Sequence, residues 1–202
     1  VSGDGVAGLL QHLKDTAAAR PQRAGHGRFR MAVDRVFTLP GIGTVVTGTV
    51  HSGVVHAGDA VAIVPGPQGK PLAARVRSLQ AQDQPSEAGV AGQRCALNLP
   101  GLDKQQIERG MWVQDAALAN ETERIDASLH LSSQESRALA ASQIVHIHHG
   151  TAEAMARVAI LDAARVEPGG DALVAFTLDR PLAIARGDRF VIRDAAAQRT
   201  ME

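Results

Sequence analysis

Apolar and polar residues alternate in short runs along most of this chain, and glycine and proline separate the runs. From Phe29 to Asp34 a large apolar side chain occupies every second position, and similar runs follow up to about residue 193. A period of two is the pattern of a half-buried strand. Short strands separated by turn residues predict a small antiparallel β-barrel over residues 28–118. The pattern restarts there and predicts a second barrel over residues 119–202.

The N-terminal stretch follows a different period. Its large apolar residues, spaced as on one face of a helix, are Val6, Leu9, Leu10 and Leu13. Asp4 stands in the N-cap position of this helix, and the polar stretch 20–27 predicts a linker. The predicted fold class is therefore all-β, with two consecutive small antiparallel β-barrels preceded by one α-helix. We expect residues 1–27 to be the last helix of another domain and its linker.

Composition narrows the function classes. The 21 basic and 21 acidic residues cancel, so any contact with RNA must come from a local patch. Aromatic residues make up 2% of the chain and tyrosine is absent, which argues against base stacking on aromatic platforms. The single cysteine, Cys95, predicts a buried thiol and a reducing cytoplasm. Because neither a signal peptide nor an apolar run of membrane-spanning length is present, we expect a cytoplasmic location and no membrane partner.

Two glycine-containing turns are candidates for a ligand-binding position. Pro40-Gly41-Ile42-Gly43 lies between two predicted strands, where glycine permits positive φ and lets another backbone or a ligand approach closely. Gly48 lies inside the second strand and predicts a bulge or a barrel bend. By contrast, the turn from Gly66 to Pro71 does not match a phosphate-binding loop. We therefore expect no nucleotide site, no cofactor and no enzymatic activity in these 202 residues.

A run of histidines on a predicted strand offers a second candidate site. His146 and His148 share one face of the strand, and two imidazoles on one face could begin a zinc site. No acidic residue or cysteine stands at a convincing ligand spacing, and Glu153 is the nearest carboxylate. A polar strand end that contacts a phosphate is the favoured interpretation, and we expect no metal.

Several motifs resemble the second domain of translational GTPases of the elongation factor Tu type. The matching segments, in order, are DRVF (34–37), GIGTVVTGTV (41–50), SGVVHAGD (52–59), AGQRCALNL (91–99) and IERGMWV (107–113). LDRPLAIARGDRFVIRD (178–194) resembles the late hairpin of the third domain. Within that superfamily the chain most resembles the bacterial selenocysteine-specific elongation factors, through residues 29–53, AQDQP (81–85), AGQR (91–94) and VHIHHGTA (145–152).

This resemblance implies that this chain and the other domains of a longer protein have different functions. The family binds GTP and magnesium in a GTPase domain and carries selenocysteyl-tRNA to the ribosome at recoded UGA codons. Its C-terminal modules bind a hairpin in the messenger RNA. Residues 1–27 would then contain the end of the GTPase domain, and the third-domain barrel would be truncated at its C-terminus. The chain itself would bind tRNA without being an enzyme.

The resemblance also implies roles for individual residues. Asp34, Arg35 and Arg94 would form the selenocysteine pocket, with Asp34 holding Arg35 in place. The tRNA 3′ end would contact the residues Thr38, Gly41, Ile42, Gly43 and Gln93. The tRNA backbone would contact Arg199, His146 and His148. Further candidates for a local basic surface are Arg28, Arg30, Arg189 and Arg193.

Two other functions remain open at this stage. The chain could be the second and third domains of another translational GTPase, such as a general elongation, initiation or release factor, with no selenocysteine pocket. It could also be a metal-dependent enzyme built on His146 and His148. Asp34, Arg35 and Arg94 argue against the first, since a general elongation-factor pocket has no need of two guanidinium groups. The metal content of the purified protein discriminates the second.

Overall fold

The computed structural model describes residues 3–19 and 27–194. Helix α1 spans Val6–Ala19, which confirms the predicted helix. Its apolar stripe, including Val6 and Leu9, is more than half exposed, and the helix has no buried residue. Nothing in the described ranges therefore covers this face. Its assignment to a GTPase domain stays a prediction.

The first β-unit contains ten strands, all paired antiparallel. Their bounds are β1 Arg30–Leu39, β2 Gly43–Ser52, β3 Val54–His56, β4 Ala60–Val64, β5 Leu72–Arg75, β6 Ser78–Ala81, β7 Gln84–Ser86, β8 Ala88–Val90, β9 Arg94–Asn98 and β10 Trp112–Asp115. Eight of them form one sheet in the order β5-β4-β10-β1-β2-β9-β6-β7, and β3 pairs with β8. Side chains such as Met31, Val46 and Leu97 are fully buried inside this unit and form its core.

The second β-unit contains seven strands and its own core. Their bounds are β11 Thr122–His130, β12 Leu139–Ala140, β13 Ile144–His149, β14 Ala152–Ile160, β15 Arg165–Val166, β16 Asp171–Leu182 and β17 Val191–Asp194. Five form a sheet in the order β11-β16-β14-β13-β17, and β12 pairs with β15. In β14 and β16 buried positions alternate with exposed ones, so each strand directs one face to a core that contains Val174 and Phe176. The predicted all-β class of two barrel-like units is confirmed, although both sheets are open within the described residues.

A β-bulge interrupts the pairing of β1 with β2. Val33 faces Gly48 and Arg35 faces Thr47, so Asp34 is an extra residue without a partner of its own. Gly48 is required opposite the bulge, because a Cβ atom there would collide with the carbonyl oxygen of Ala32. Gly48 was predicted to mark a bulge or a bend, and it does mark a bulge. The bulge changes the direction in which the following side chains project.

A buried charged cluster joins the two units. Arg30 of the first unit donates from Nη1 and Nη2 to the two carboxylate oxygens of Asp188, at 2.6 and 2.7 Å. His149 Nε2 lies 3.0 Å from the same carboxylate, and the His149 ring stacks on Trp112 with centroids 4.8 Å apart. The Arg30 guanidinium lies 4.5 Å from the Trp112 ring centroid. Arg30, Trp112 and His149 are all at least nine-tenths buried.

A second contact between the units supports the bulge itself. The Thr151 hydroxyl donates to the Val33 carbonyl oxygen at 2.6 Å, and the Gly110 amide donates to the same oxygen at 3.1 Å. Gly110 permits the close approach, because a Cβ atom there would lie 3.1 Å from Ala152 Cα. The second unit therefore holds the backbone immediately before Asp34.

Candidate functional site

A charged cavity of about 600 Å³ opens on the first unit. Five of its lining residues carry a charge: Asp34, Arg35, Asp83, Arg94 and Arg109. The others supply polar or apolar walls: Phe37, Thr47, Gln80, Cys95 and Ala96. Three arginines and two aspartates therefore line one opening, so the lining carries a net positive charge.

The sheet brings the cavity residues together through its register. Arg35 on β1 pairs with Thr47 on β2, Thr47 pairs with Ala96 on β9, and Ala96 pairs with Gln80 on β6. Directly opposed residues of antiparallel strands share a face. This row therefore forms the floor of the cavity. Asp34 reaches the cavity from the neighbouring position because of the bulge.

Asp34 is held on two sides. The Thr47 hydroxyl donates to Asp34 Oδ1 at 2.6 Å. Arg94 makes a two-pronged ion pair, with Nη1 bonded to Asp34 Oδ2 and Nη2 3.2 Å from Oδ1. The expected pairing of Asp34 with Arg35 is therefore wrong. The bulge and register direct Asp34 across β2 toward Arg94 on β9, and Arg35 makes no hydrogen bond or ion pair with any described residue.

These contacts shift the pKa values of Asp34 and Arg94. Burial raises the pKa of Asp34, but the hydrogen bonds from Arg94 and Thr47 and the charges of Arg94 and Arg35 outweigh it and leave the pKa below its usual value. The hydrogen bond to Asp34 raises the pKa of Arg94. Asp34 and Arg94 therefore stay ionised and form a fixed wall, while Arg35 and Arg109 form no ion pair within 4 Å with a described carboxylate.

The residues assigned to the tRNA 3′ end lie outside this cavity lining. Thr38, Gly41, Ile42 and Gly43 occupy the exposed end of the β1–β2 hairpin. Strand β1 continues to Leu39, so Asp34 and Arg35 do not lie beside the glycine turn at its end. They lie in mid-strand.

Gly41 and Gly43 form the turn of this hairpin, whereas Gln93 belongs to a different turn. Gly41 and Gly43 have φ of 74° and 99°, as the turn requires. The Gln93 side chain accepts a hydrogen bond from the Val90 amide at 2.9 Å, which makes it part of a local turn.

The histidine pair lies on the outer face of the second unit. His146 Nδ1 approaches Glu153 Oε1 to 2.7 Å without hydrogen-bond geometry, and His148 Nδ1 is 4.0 Å from Oε2 of the same carboxylate. Among the described residues no group of three or more histidine, cysteine or acidic side chains could hold a metal ion. The arrangement gives no support to a metal-dependent enzyme.

The structure agrees with only part of the predicted basic surface. Arg30 was a candidate for it, but Arg30 is buried in the cluster with Asp188, because strand β1 directs it to the junction of the units. Arg28 remains exposed and pairs with Asp115 at 3.1 Å. Arg199 lies outside the described residues.

Among the cavity residues that had no predicted role, Thr47 bonds to Asp34, and Asp83 and Arg109 carry charge. Thr47 could have been found from the period of β2 once the register was known. Asp83 lies in the AQDQP motif and Arg109 in IERGMWV, so both motifs carried the signal but no role had been assigned. Sequence alone does not bring 34, 83 and 109 to one cavity, because that depends on strand order.

Comparison with known proteins assigns the chain to a family. A family model described as "Selenocysteine-specific elongation factor, beta-barrel domain" matches residues 123–202, and one described as "Elongation factor Tu domain 2" matches residues 43–114. The selenocysteine-specific elongation factor of Escherichia coli (strain K12) is 38% identical over 98% of this chain. The chain belongs to the selenocysteine-specific elongation factors. The factor of Desulfomicrobium baculatum is 34% identical over 96% of the chain.

A solved structure supports the fold. The crystal structure of a bacterial selenocysteine-specific elongation factor, EF-Sec, superposes with a TM-score of 0.78 and 24% identity over 96% of this chain. The chain spans 30% of the length of that protein and of each of the two relatives described above. None of the described helices is long and apolar enough to cross a membrane.

Proposed function

We propose that this chain provides the tRNA-binding barrels of a selenocysteine-specific elongation factor and that the charged cavity binds the selenocysteyl group. The whole protein would be a GTPase that holds GTP and magnesium in a separate domain. It would deliver selenocysteyl-tRNA to the ribosome in the cytoplasm, at recoded UGA codons, and contact a messenger RNA hairpin through further domains. The observation that carries the proposal is the convergence of Arg35, Arg94 and Arg109 on one cavity.

The charge of the cavity suits an anion. A thiol has a pKa of about 8.5, and a selenol is more acidic. At neutral pH the selenocysteine side chain is therefore largely an anion, whereas the serine hydroxyl on the same tRNA is neutral. Guanidinium groups favour the anion through charge-assisted hydrogen bonds, which contribute about 1.5–3 kcal/mol each.

The contacts within the cavity assign different tasks to the arginines. Arg94 is occupied by Asp34 and Thr47, so it presents a fixed edge to a ligand. Arg35 has no partner of this kind among the described residues and is free to turn toward a selenolate. Asp34 would therefore act by positioning Arg94 and by lowering the cost of placing like charges side by side. This division replaces the expected pairing of Asp34 with Arg35.

The remaining tRNA contacts would surround the cavity. Thr38, Gly41, Ile42, Gly43 and Gln93 would contact the 3′ end, and the open space at Gly41 supports this because no described atom lies within 4 Å of a Cβ built there. His146, His148 and Arg199 would contact the backbone. Such contacts position the tRNA but do not distinguish serine from selenocysteine.

The test is the binding of two aminoacylated forms of the same tRNA to the full-length, GTP-bound factor. Arg35→Ala should weaken binding of selenocysteyl-tRNA about 10- to 100-fold and leave seryl-tRNA nearly unchanged. Arg75→Ala is a matched control, because Arg75 is exposed on β5 and is absent from the cavity lining. Equal loss for both forms would mean that Arg35 holds the tRNA. Loss for neither would contradict the pocket assignment.

A further inference from the structure

The tip of the β13–β14 hairpin reaches from the second unit to the bulge of the first. His149 pairs with Ala152, so Gly150 and Thr151 form a two-residue turn between the strands. Gly150 has φ of 59°, and a Cβ atom there would lie 2.8 Å from Cζ2 of Trp112. Glycine therefore allows the turn to come close enough to the first unit for Thr151 to contact its backbone.

This contact falls on the residue that precedes Asp34. The Thr151 hydroxyl donates to the Val33 carbonyl oxygen at 2.6 Å, and the Gly110 amide donates to the same oxygen at 3.1 Å. The Val33 amide in turn donates to the Met111 carbonyl oxygen at 2.9 Å. Val33 itself is fully buried. These hydrogen bonds hold the backbone before Asp34, and the one from Thr151 is the contribution of the second unit.

A β-bulge is a part of a strand where such a constraint has a large effect. At the extra residue the ladder of hydrogen bonds to the neighbouring strand is disrupted, so regular pairing does not fix the direction of the chain there. Asp34 is that extra residue, and its carboxylate holds Arg94, which belongs to the cavity lining. A rotation of the backbone at Val33 would therefore displace Asp34 and, with it, the guanidinium group of Arg94.

We propose that Thr151 is a positioning residue for selenocysteine recognition, because its hydroxyl fixes the bulge that places Asp34 and Arg94. This inference rests on the proposed function of the cavity and adds to it a requirement on the second unit. Thr151 is not among the residues that line the cavity, so it would act through the bulge and not by touching the ligand. Its loss should reduce the preference for an anionic side chain and spare the contacts that bind any aminoacyl form of the tRNA.

The experiment measures binding of selenocysteyl-tRNA and seryl-tRNA to the full-length, GTP-bound factor. Thr151→Val keeps the shape and the β-branch of the side chain but removes the hydrogen-bond donor. The ratio of the two affinities should fall about fivefold, as expected for the loss of one hydrogen bond, while binding of seryl-tRNA changes by less than about twofold. Thr151→Ser, which restores a hydroxyl, should return the ratio to within about twofold of the wild-type value.

A matched control separates positioning from a general loss of stability. Thr122→Val also removes a partly exposed hydroxyl of the second unit, one that donates to the Arg124 carbonyl oxygen at 2.8 Å. Thr122 is absent from the cavity lining, so this variant should keep the wild-type ratio. Thr151→Val should remain folded, because Gly110 still donates to the Val33 oxygen. A smaller folded fraction would lower both affinities together and leave their ratio unchanged.

The outcomes distinguish this inference from the function on which it rests. A wild-type ratio in Thr151→Val would overturn the inference, and so would a Thr151→Ser variant that is as impaired as the valine variant. Parallel loss of both tRNAs in Thr151→Val would overturn it as well, because the hydroxyl would then serve only the fold. Arg35→Ala, measured alongside, tests the proposed function separately. If Arg35→Ala loses the preference while Thr151→Val keeps it, the cavity recognises the selenolate without help from the second unit.

Discussion

Removal of the Asp188 carboxylate should destabilise the chain strongly. Asp188 accepts from Arg30 at 2.6 and 2.7 Å and lies 3.0 Å from His149, and the Arg30 and His149 side chains are 9% and 3% exposed. The variant Asp188→Ala would leave the Arg30 charge buried without its carboxylate. Breaking a buried pair in this way costs about 3–5 kcal/mol. Because Asp188 itself is 18% exposed, we expect the lower end, about 3 kcal/mol.

Thermal unfolding followed by circular dichroism measures this effect. For a chain of this size, 3 kcal/mol corresponds to a fall in Tm of roughly 6–12 °C. The matched control is Glu167→Ala, which removes a surface carboxylate paired with Arg165, where both side chains are more than half exposed. That control should cost less than about 1 kcal/mol. Equal shifts for the two variants would refute the view that the Arg30–Asp188 pair holds the units together.

Three further predictions concern acid stability, the bulge and the tRNA backbone. Burial raises the pKa of Asp188, but hydrogen bonds from His149 and Arg30 outweigh it and hold the pKa well below its usual value. A depressed folded-state pKa contributes stability above the unfolded value of about 3.9, so urea unfolding should show wild-type stability falling below pH 4 faster than that of Asp188→Asn. Gly48→Ala should cost about 3 kcal/mol in the same assay, whereas Gly8→Ala, in helix α1 where no described atom lies within 4 Å of a Cβ and φ is not positive, should cost nothing; equal losses would remove steric collision as the reason. Arg199→Ala in the full-length factor should weaken the binding of several tRNAs to a similar extent. It should also reduce the slope of log affinity against log salt concentration by about one, and an unchanged slope would remove Arg199 from the backbone contacts.

The amino-acid pattern predicted the longer elements but not the two-residue strands. Helix α1 and strands such as β2 and β14 follow clear periods of apolar residues, and these periods depend only on local sequence. Strands β12 and β15 are two residues each, too short to show a period. They exist because they pair with each other, and such pairing is decided by the tertiary fold.

The candidate site, too, could be predicted only in part from the sequence. Asp34, Arg35 and Arg94 could be identified as cavity residues because motifs mark them. The ion pair between Asp34 and Arg94 could not be predicted, because it depends on the extra residue at the β-bulge, which directs Asp34 toward Arg94. Arg30 was misjudged for a related reason. A charged residue on a strand is expected at the surface, but a second unit covers this one and supplies Asp188.

The most direct test of the central claim uses the pH dependence of binding by a third aminoacyl group. Cysteine attached to the same tRNA carries a thiol with a pKa of about 8.5, so its side chain changes from neutral to anionic between pH 7.5 and 9.5. Binding to the full-length, GTP-bound factor would be measured within the lifetime of the ester, with seryl-tRNA as the neutral reference. If the arginine-lined cavity recognises an anion, the affinity for cysteinyl-tRNA relative to seryl-tRNA should rise about tenfold over this range, and Arg35→Ala should abolish the rise. A ratio that stays flat with pH in the wild-type factor would contradict the claim that charge is what this cavity recognises.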